Sequence, residues 1–485
     1  MISSPQEVER FVEDFVLALR EDNAALFAGA GLSIPSGFVN WKELLRDIAK
    51  DVNLDVNKES DLVAVAQYHI NSTGNRNKIN HQLLNTFSQK AKPSKSHEII
   101  ASLPFKTVWT TNYDTLIEDA FTHAGKVADV KHNHSQLPLT RAGRSVVVYK
   151  MHGDASAPSQ AVLTRDDYES FSENRSLFTT ALQGDLVNKT FLFLGFSFSD
   201  PNINYILSRV RILLGNQNQR QHYCLMRKVQ RKDYVKIGDF RYDENKQKLQ
   251  VDDLKRYGIK TLLLSDFGAV TAILKKIQSK FKRHRVFISG SAFTGAYSPH
   301  WSSDLKSQKF IHGLAYELVK KGYDVASGFG DGVGSAVING ALQFSDETGQ
   351  ELGDKLVLKP FPQFATTPRE LTSMWQEYRK SMLKNVGVAV FVFGSKLHEN
   401  GGIVNAPGVR KEFEIARQLG IKLIPVGVTG WMSEQLWNEV ETNFKLFYGD
   451  NTKIRAQFKK LGNTDSTPNQ VTKAILNIID LITQE

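Results

Sequence analysis

Four places in the first half of this 485-residue chain combine glycine with polar side chains immediately after an apolar run, and these are where chemistry could be done. The first is Gly29-Ala30-Gly31, followed by Ser33. Glycines after a strand let a backbone approach a pyrophosphate without a Cβ clash, and exposed N–H groups can hold its oxygens. A plain tight turn has the same spelling. The second is Asn112-Tyr113-Asp114. Asn112 could bind a ligand or satisfy a turn, and Asp114 could bind a ligand or cap the helix expected over 114–121. The third, His152-Gly153-Asp154, delivers an imidazole to a strand end, and the fourth runs from Gly195 through Ser197 to Ser199-Asp200. Open α/β sheets bind ligands at the carboxyl ends of their strands. Four such endings are hard to explain as four independent turns.

The second half has its own set. Gly290-Ser291 closes an apolar run, and glycines at 328, 330, 332 and 334 precede an apolar helical segment over 336–344. That composition suits a phosphate loop, though no Walker lysine follows, and a flexible loop is the alternative. Arg379 on an amphipathic helix and Lys396 after the run 387–393 are cations that could meet an anion or face solvent.

These residues need elements to position them. Short apolar runs at 24–28, 107–110, 146–151, 190–196, 222–226 and 260–264 alternate with amphipathic segments. From 41 to about 89 the pattern is purely helical, which predicts an insertion on one side of a sheet. A basic helical stretch over 275–285 then switches to a strand, and runs at 285–289, 323–326, 355–359, 387–393 and 422–426 restart the alternation. Over 310–320, Ile311, Leu314 and Leu318 share one helix face. The expectation is an α/β chain of two Rossmann-like parallel-sheet domains, residues 1–283 and 284–485.

Composition narrows the function. Apolar residues make up 41% and charged residues 23%, as in an ordinary globular chain. No apolar run approaches the ~18 residues of a membrane span, and the N-terminus does not read as a secretory signal, so a cytoplasmic chain without membrane contact is expected. Sixty-one basic against 51 acidic residues leave +10, but the basic residues are dispersed among acids. An enzyme handling anionic nucleotides fits that better than nucleic-acid binding does. The single cysteine, Cys224, excludes an internal disulfide and a four-cysteine zinc site, and its apolar setting reads as packing. No metal is expected.

In order and spelling, GAGLS, TTNYD, MHGD and LGFS resemble the GAG-x-S, TQN-x-D, HG and G-x-S elements of the sirtuin family, over about residues 5–275. The resemblance implies a domain that binds NAD⁺ and cleaves its nicotinamide–ribose bond. It implies that Gly29, Ala30, Gly31 and Ser33 hold phosphates and ribose, that Asn112 and Asp114 orient the nicotinamide ribose, that His152 is the general base and Asn112 its catalytic partner, and that Gly195 and Ser197 contact the adenosine side. The chain departs from the deacylases of that family: the zinc module is missing and Tyr113 stands where isoleucine is usual. Hydrolysis of NAD⁺ gains accordingly over protein deacylation or ADP-ribosyl transfer.

SGS, SGFGxGVGS and VFVFGS resemble the SLOG superfamily over about residues 284–485. Where enzymatic relatives carry PGGxGTxxE this chain reads Pro407-Gly408-Val409-Arg410-Lys411-Glu412, which keeps the glutamate and loses the GGxGT, favouring binding over catalysis. A sirtuin-like domain followed by a SLOG domain resembles the NADase effector family of the bacterial Thoeris antiphage system. That resemblance implies a homotetramer. It also implies an activator, a cyclic ADP-ribose isomer made by a TIR-domain partner, held by Gly290, Ser291, Gly328, Phe329, Gly330, Arg379, Lys396 and Glu412, and NAD⁺ depletion in the infected cell.

Overall fold

The computed structural model describes residues 2–38, 41–87, 91–215, 218–361 and 371–484. They form two compact units, Met1–Gln278 and Ser279–Glu485, divided within the helix Phe267–Arg283.

In the first unit seven strands lie parallel: β1 (Ala24–Ala28), β2 (Thr107–Thr110), β3 (Ala128–Lys131), β4 (Val146–Lys150), β5 (Thr190–Leu194), β6 (His222–Arg227) and β7 (Ile259–Leu264). Their order is β3-β4-β2-β1-β5-β6-β7. β1 and β5 are buried along their whole length, as apolar strands covered on both faces must be. The chain builds outward from β1 on one side, then returns to lay β5 on the other. The winding reverses between β1 and β5, which opens a crevice at their carboxyl ends.

The segment expected to be an insertion is helical, with Trp41–Leu44, Arg46–Asp51, Leu62–Thr73 and Asn77–Phe87 and no strand among the described residues 41–87. Its expected end, at 89, lies outside the described residues. Leu44, Ile48, Val65, Ile79 and Leu83 pack with Tyr113, Ala155 and Leu163, so the insertion sits on the segments that leave β2 and β4.

Two differences from the sequence expectation have plain causes. β3 was not anticipated, because Asp129 and Lys131 interrupt its apolar pattern. Inside the fold the two are buried and paired at 2.8 Å. The run expected over 190–196 stops at Leu194, because Gly195 takes φ +63° and turns the chain out of the sheet.

The second unit has five parallel strands, β8 (Arg285–Ser291), β9 (Asp324–Ser327), β10 (Leu356–Leu358), β11 (Val388–Phe393) and, after a two-stranded hairpin of β12 (Ser395–Leu397) and β13 (Ile403–Asn405), β14 (Lys422–Pro425). The order β10-β9-β8-β11-β14 reverses between β8 and β11. The helix expected over 310–320 is the end of Asp304–Lys320, with Ile311, Leu314 and Leu318 fully buried, and the segment 336–344 lies within Gly334–Thr348.

Candidate active site

The glycines after β1 are required by the turn after β5. A Cβ on Gly29 would stand 2.5 Å from Gly195 O, and one on Gly195 would stand 2.3 Å from Leu32 N. Two backbones thus meet where only glycine fits. The expectation that the N–H groups of both glycines are open to a ligand is corrected here: Gly29 N donates to Leu194 O and Gly31 N to Gly195 O, each at 2.9 Å. The glycines join the tips of β1 and β5.

Asn112 follows β2 and is 5% exposed. Its Nδ2 donates to Gly29 O at 3.2 Å and to Ser33 Oγ at 3.0 Å, while Oδ1 is buried without a partner. Ser33 Oγ in turn donates to Asp114 Oδ2 at 2.8 Å. The other Asp114 oxygen accepts from Leu116 N at 3.0 Å, so this residue serves both the site and the helix start. Burial pushes the Asp114 carboxyl above its ordinary value, against the pull of Ser33, the Leu116 N–H and Lys150.

Beneath this cluster, Lys150 at the end of β4 is fully buried. Its ammonium donates to Asp154, to Asp114 O at 2.6 Å and to Tyr113 O at 3.2 Å, and pairs with Glu118 at 3.0 Å. One lysine therefore ties the turn carrying Asn112 to the turn carrying His152.

His152 is 2% exposed. β2 and β4 pair through Thr110 and Lys150, so Asn112 and His152 each lie two residues beyond matched positions on adjacent strands. Ring Nε2 is 2.9 Å from Asp200 Oδ2, although the contact lacks hydrogen-bond alignment, and Nδ1 is buried without a partner. Asp200 follows β5. Burial works to raise its carboxyl, but the His152 imidazole and the N–H groups of Ile203 and Asn202 outweigh burial and hold it below the usual range. In sheet order β4 and β5 are separated by β2 and β1, so their ends lie about 14 Å apart at ~4.8 Å per strand. A 2.9 Å contact between their loops means that both fold inward over the tips of β2 and β1. Sequence reasoning gave Asp200 no role. Its visible signal, an aspartate before Pro201, reads as a helix cap.

Two cavities border parts of this cluster, and His152 and Asp200 line neither of them. One, of about 40 Å³, is lined by Ala30, Ser33, Asn112 and Asp114 on one side and by Phe38, Trp41 and Phe87 on the other. The second, of about 490 Å³, lies beyond β5 against Gly31, Gly195, Phe196, Ser197 and Met226. Gly195 and Ser197 thus border the larger space, while Asn112 and Asp114 border the smaller. Among the described residues no cluster of three or more His, Cys, Asp or Glu could hold a metal ion. Likewise, no described helix is long and apolar enough to cross a membrane.

In the second unit the glycine pattern again reflects close backbone approach. A Cβ on Gly330 would stand 2.1 Å from Gly290 O, and one on Gly290 would stand 2.4 Å from Val392 O. Gly328 faces Phe361 and Met382, and Phe329 adopts φ +57° with its ring half exposed. Ser291 Oγ donates to Ser395 O at 2.9 Å, which ties β8 to the hairpin carrying Lys396, itself exposed. Glu412 is buried and accepts from Ser289 Oγ at 2.6 Å. Arg379 Nε lies 3.6 Å from Glu412, and its guanidinium stacks on Phe361 at 4.7 Å. Gly290, Ser291, Gly328, Phe329, Gly330 and Lys396 belong to the carboxyl ends of β8, β9 and β11, while Arg379 and Glu412 approach from the helices Leu371–Leu383 and Pro407–Gln418.

Known proteins match both halves. A family described as SIR2-like domain matches residues 106–252, and one described as Sir2- and TIR-associating SLOG family matches residues 269–482. Over its whole length the chain is 47% identical to the NAD(+) hydrolase ThsA of Cytobacillus dafuensis, covering 99% of this chain and 97% of that one. The chain belongs to the ThsA family. It is also 44% identical to ThsA of Bacillus cereus, covering 98% of each chain, and 42% identical to ThsA of Enterococcus faecium, again covering 98% of each. A more distant relative, Defense-associated sirtuin 2 of Bacillus subtilis, is 27% identical over 42% of this chain and 20% of its own length. This chain is therefore built as two α/β units, SIR2-like then SLOG.

Proposed function

We propose that this ThsA-family chain hydrolyses NAD⁺ to ADP-ribose and nicotinamide at the tips of β1, β2, β4 and β5, with His152 as general base and Asn112 holding the ribose and the attacking water. The observation that carries this reading is a pair of buried, unpartnered polar atoms, Asn112 Oδ1 and His152 Nδ1, on adjacent strand tips beside the glycine turn. Buried polar atoms left without protein partners are costly, and a bound ligand or water satisfies them.

The chemistry asks for what these groups supply. Water oxygen bonds to ribose C1′ as the C1′–N bond breaks, and the bonding pair leaves with nicotinamide, which departs neutral. Departure needs little acid help. The developing cation on the ribose needs a fixed sugar, a placed water and an acceptor for the water's proton, and an imidazole suits that last task. The two amide hydrogens of Asn112 are taken by Gly29 O and Ser33 Oγ, and its unpartnered Oδ1, with two lone pairs, can accept from a sugar hydroxyl and a water together. Phe38, Trp41 and Phe87 offer flat apolar walls for the nicotinamide, and the larger cavity past Gly195 and Ser197 suits the adenosine.

A 40 Å³ space holds little more than a water, so this arrangement is closed to a nicotinamide ring. A closed site fits control by a ligand at the second unit. The reading is that a cyclic ADP-ribose isomer from a TIR-domain partner binds at Gly290, Ser291, Gly328, Phe329, Gly330, Arg379, Lys396 and Glu412. It favours the open state in a homotetramer, and NAD⁺ in the cytoplasm of an infected cell is then depleted. Such a ligand needs roughly 5.5 kcal/mol of differential binding to move a 1:99 population to 99:1. The experiment is nicotinamide release by the full chain with and without a panel of cyclic ADP-ribose isomers. His152→Ala and Asn112→Ala should each abolish release. Wild-type turnover in either variant refutes the site, and turnover indifferent to every isomer refutes the gating.

A further inference from the structure

We propose that Asp200 is a positioning residue for His152, forming a carboxylate–imidazole pair that leaves Nδ1 as the lone-pair nitrogen of the ring. The inference rests on the reading of His152 as the base.

The two oxygens of Asp200 have separate tasks. Oδ1 accepts from Asn202 N at 2.9 Å and Ile203 N at 3.0 Å, capping the helix Pro201–Leu214. Oδ2 lies 2.9 Å from His152 Nε2 and accepts the Tyr168 hydroxyl at 3.3 Å. The helix start therefore fixes the carboxylate, and Oδ2 lies within ion-pair distance of the ring. The imidazole is also boxed by Tyr168 at 5.6 Å and Phe171 at 6.2 Å, both edge-on. With a carboxylate 2.9 Å from Nε2 and two aromatic rings packed edge-on against the imidazole, the nitrogen on the side away from the carboxylate is Nδ1, buried and without a partner.

The remaining titratable groups near the pair are already committed. Tyr113 donates its hydroxyl to Val162 O at 2.6 Å, and Asp167 pairs with Arg76 at 2.6 Å. Tyr168, which donates to Asp200, has its own ionisation pushed up by burial and then by Asp200, and it stays neutral. Asp200 is thus the carboxylate that can set the ring's tautomer. An anionic oxygen at Nε2 keeps the proton there. When Nδ1 takes a proton from the attacking water, the ring becomes an imidazolium beside a carboxylate that stabilises it and is not itself protonated.

Asp200→Asn isolates this role. Asparagine matches the size and retains an oxygen for the helix cap, where it ranks with aspartate. Its amide then stands where Oδ2 was and donates to Nε2, which moves the ring proton to Nδ1 and disables the base. In the full chain, with cyclic ADP-ribose isomers present and across roughly pH 5 to 9, kcat should fall on the order of 10²- to 10⁴-fold. KM should change by less than about 3-fold, since only transition-state stabilisation is lost. Selective ¹⁵N-histidine spectra, which need no turnover, should place the proton on Nε2 in the native chain and on Nδ1 in the variant. Native kcat overturns the inference, as does an unchanged tautomer, or a fall in kcat accompanied by a raised KM and a lowered melting temperature. The control is His152→Ala. If it is inactive while Asp200→Asn is unaffected, only this inference fails. If it retains turnover, the base assignment fails and the inference with it.

Discussion

Replacing Lys150 with methionine should unfold the first unit early, and more so at neutral than at acidic pH. Methionine has similar length and volume, so the loss is electrostatic rather than a cavity. The ammonium is fully buried among Asp154, Glu118 and the carbonyls of Tyr113 and Asp114. Neither Glu118 oxygen has an aligned hydrogen bond, so its 3.0 Å ion pair to Lys150 is its compensation. Removing one partner of a buried ion pair costs about 3–5 kcal/mol, because the remaining charge is stranded. At ~2–4 °C per kcal/mol for a unit of this size, the melting transition should fall on the order of 10 °C. In the native protein burial works to raise the Asp154 carboxyl, but Lys150 and Ser156 outweigh it and hold it below its ordinary value. That contribution is present above the unfolded value of ~3.9 and is lost as pH falls through the lowered folded one. Glu118 is already raised by burial, against Lys150. Without the lysine both carboxyls rise, and a raised carboxyl takes up its proton on acidification. The deficit should therefore be full near pH 7 and shrink toward about pH 5. Scanning fluorimetry of the full chain at the two pH values reads both quantities. A melting point within ~3 °C of the native one at neutral pH, or a deficit that grows on acidification, would refute the reasoning.

Gly195→Ala places a Cβ 2.3 Å from Leu32 N at φ +63°, so the β1 and β5 turns must separate; KM for NAD⁺ should rise by at least ~5-fold, from ~1–2 kcal/mol of strain alone, and an unchanged KM argues against a dinucleotide across these turns. Ser33→Ala strips a hydrogen bond from Asn112 and from buried Asp114; with ~1–3 kcal/mol at stake, kcat/KM should drop roughly 10- to 100-fold, and native kinetics would show that Asn112 is held by other means. Gly330→Ala drives a Cβ to within 2.1 Å of Gly290 O; it should lower the melting transition of the second unit and abolish the response to cyclic ADP-ribose isomers, and full activation would exclude the β8–β9 turn as their site. Burial pushes the Cys224 thiol up to about 12, so a thiol reagent at neutral pH should label it only after denaturant is added, whereas rapid labelling of the native chain would contradict its place in the core.

What the sequence disclosed follows from how local each signal is. The endings at Gly29, Asn112, His152 and Gly195 were legible because each is a strand run followed at once by glycine or a polar side chain. The helical insertion was legible from its periodicity. β3 was hidden because Asp129 and Lys131 look like surface residues until each is seen to be the other's partner. Lys150 was hidden the same way: at the end of a strand it reads as solvent-facing, and only the fold brings Glu118 to it. Asp200 shows one of its two roles in sequence, the helix cap before Pro201. The other depends on two loops separated by 48 positions meeting above the sheet. The turn glycines were found for an incomplete reason, since their N–H groups serve the β1–β5 junction.

That junction bears on what must move when substrate enters. Buried ion pairs add little net stability over apolar residues of the same shape, so Lys150 with its two carboxylates is poorly explained as a stabiliser of the core. Its effect is directional. Ser33 joins the β1 turn to Asn112 and Asp114, Lys150 joins those to Asp154, and Asp200 closes the set from β5. Four strand tips are thus cross-linked by groups whose separation would strand buried charge, and each such break costs several kcal/mol. The aromatic part of the insertion meets the same tips through ring contacts, Phe38 with Phe87 at 5.2 Å and Phe87 with Tyr113 at 5.7 Å, whereas Gln67 and Arg76 hold the rest of it to Asp166, Asp167 and Ala161 O by polar bonds. Apolar contacts carry no comparable geometric penalty for sliding. Opening the 40 Å³ space to a nicotinamide ring is therefore cheaper by displacing Phe38, Trp41 and Phe87 outward than by spreading the strand tips. On the proposed reading, a gating ligand needs to move only these three rings and can leave the arrangement of Asn112, His152 and Asp200 as it stands.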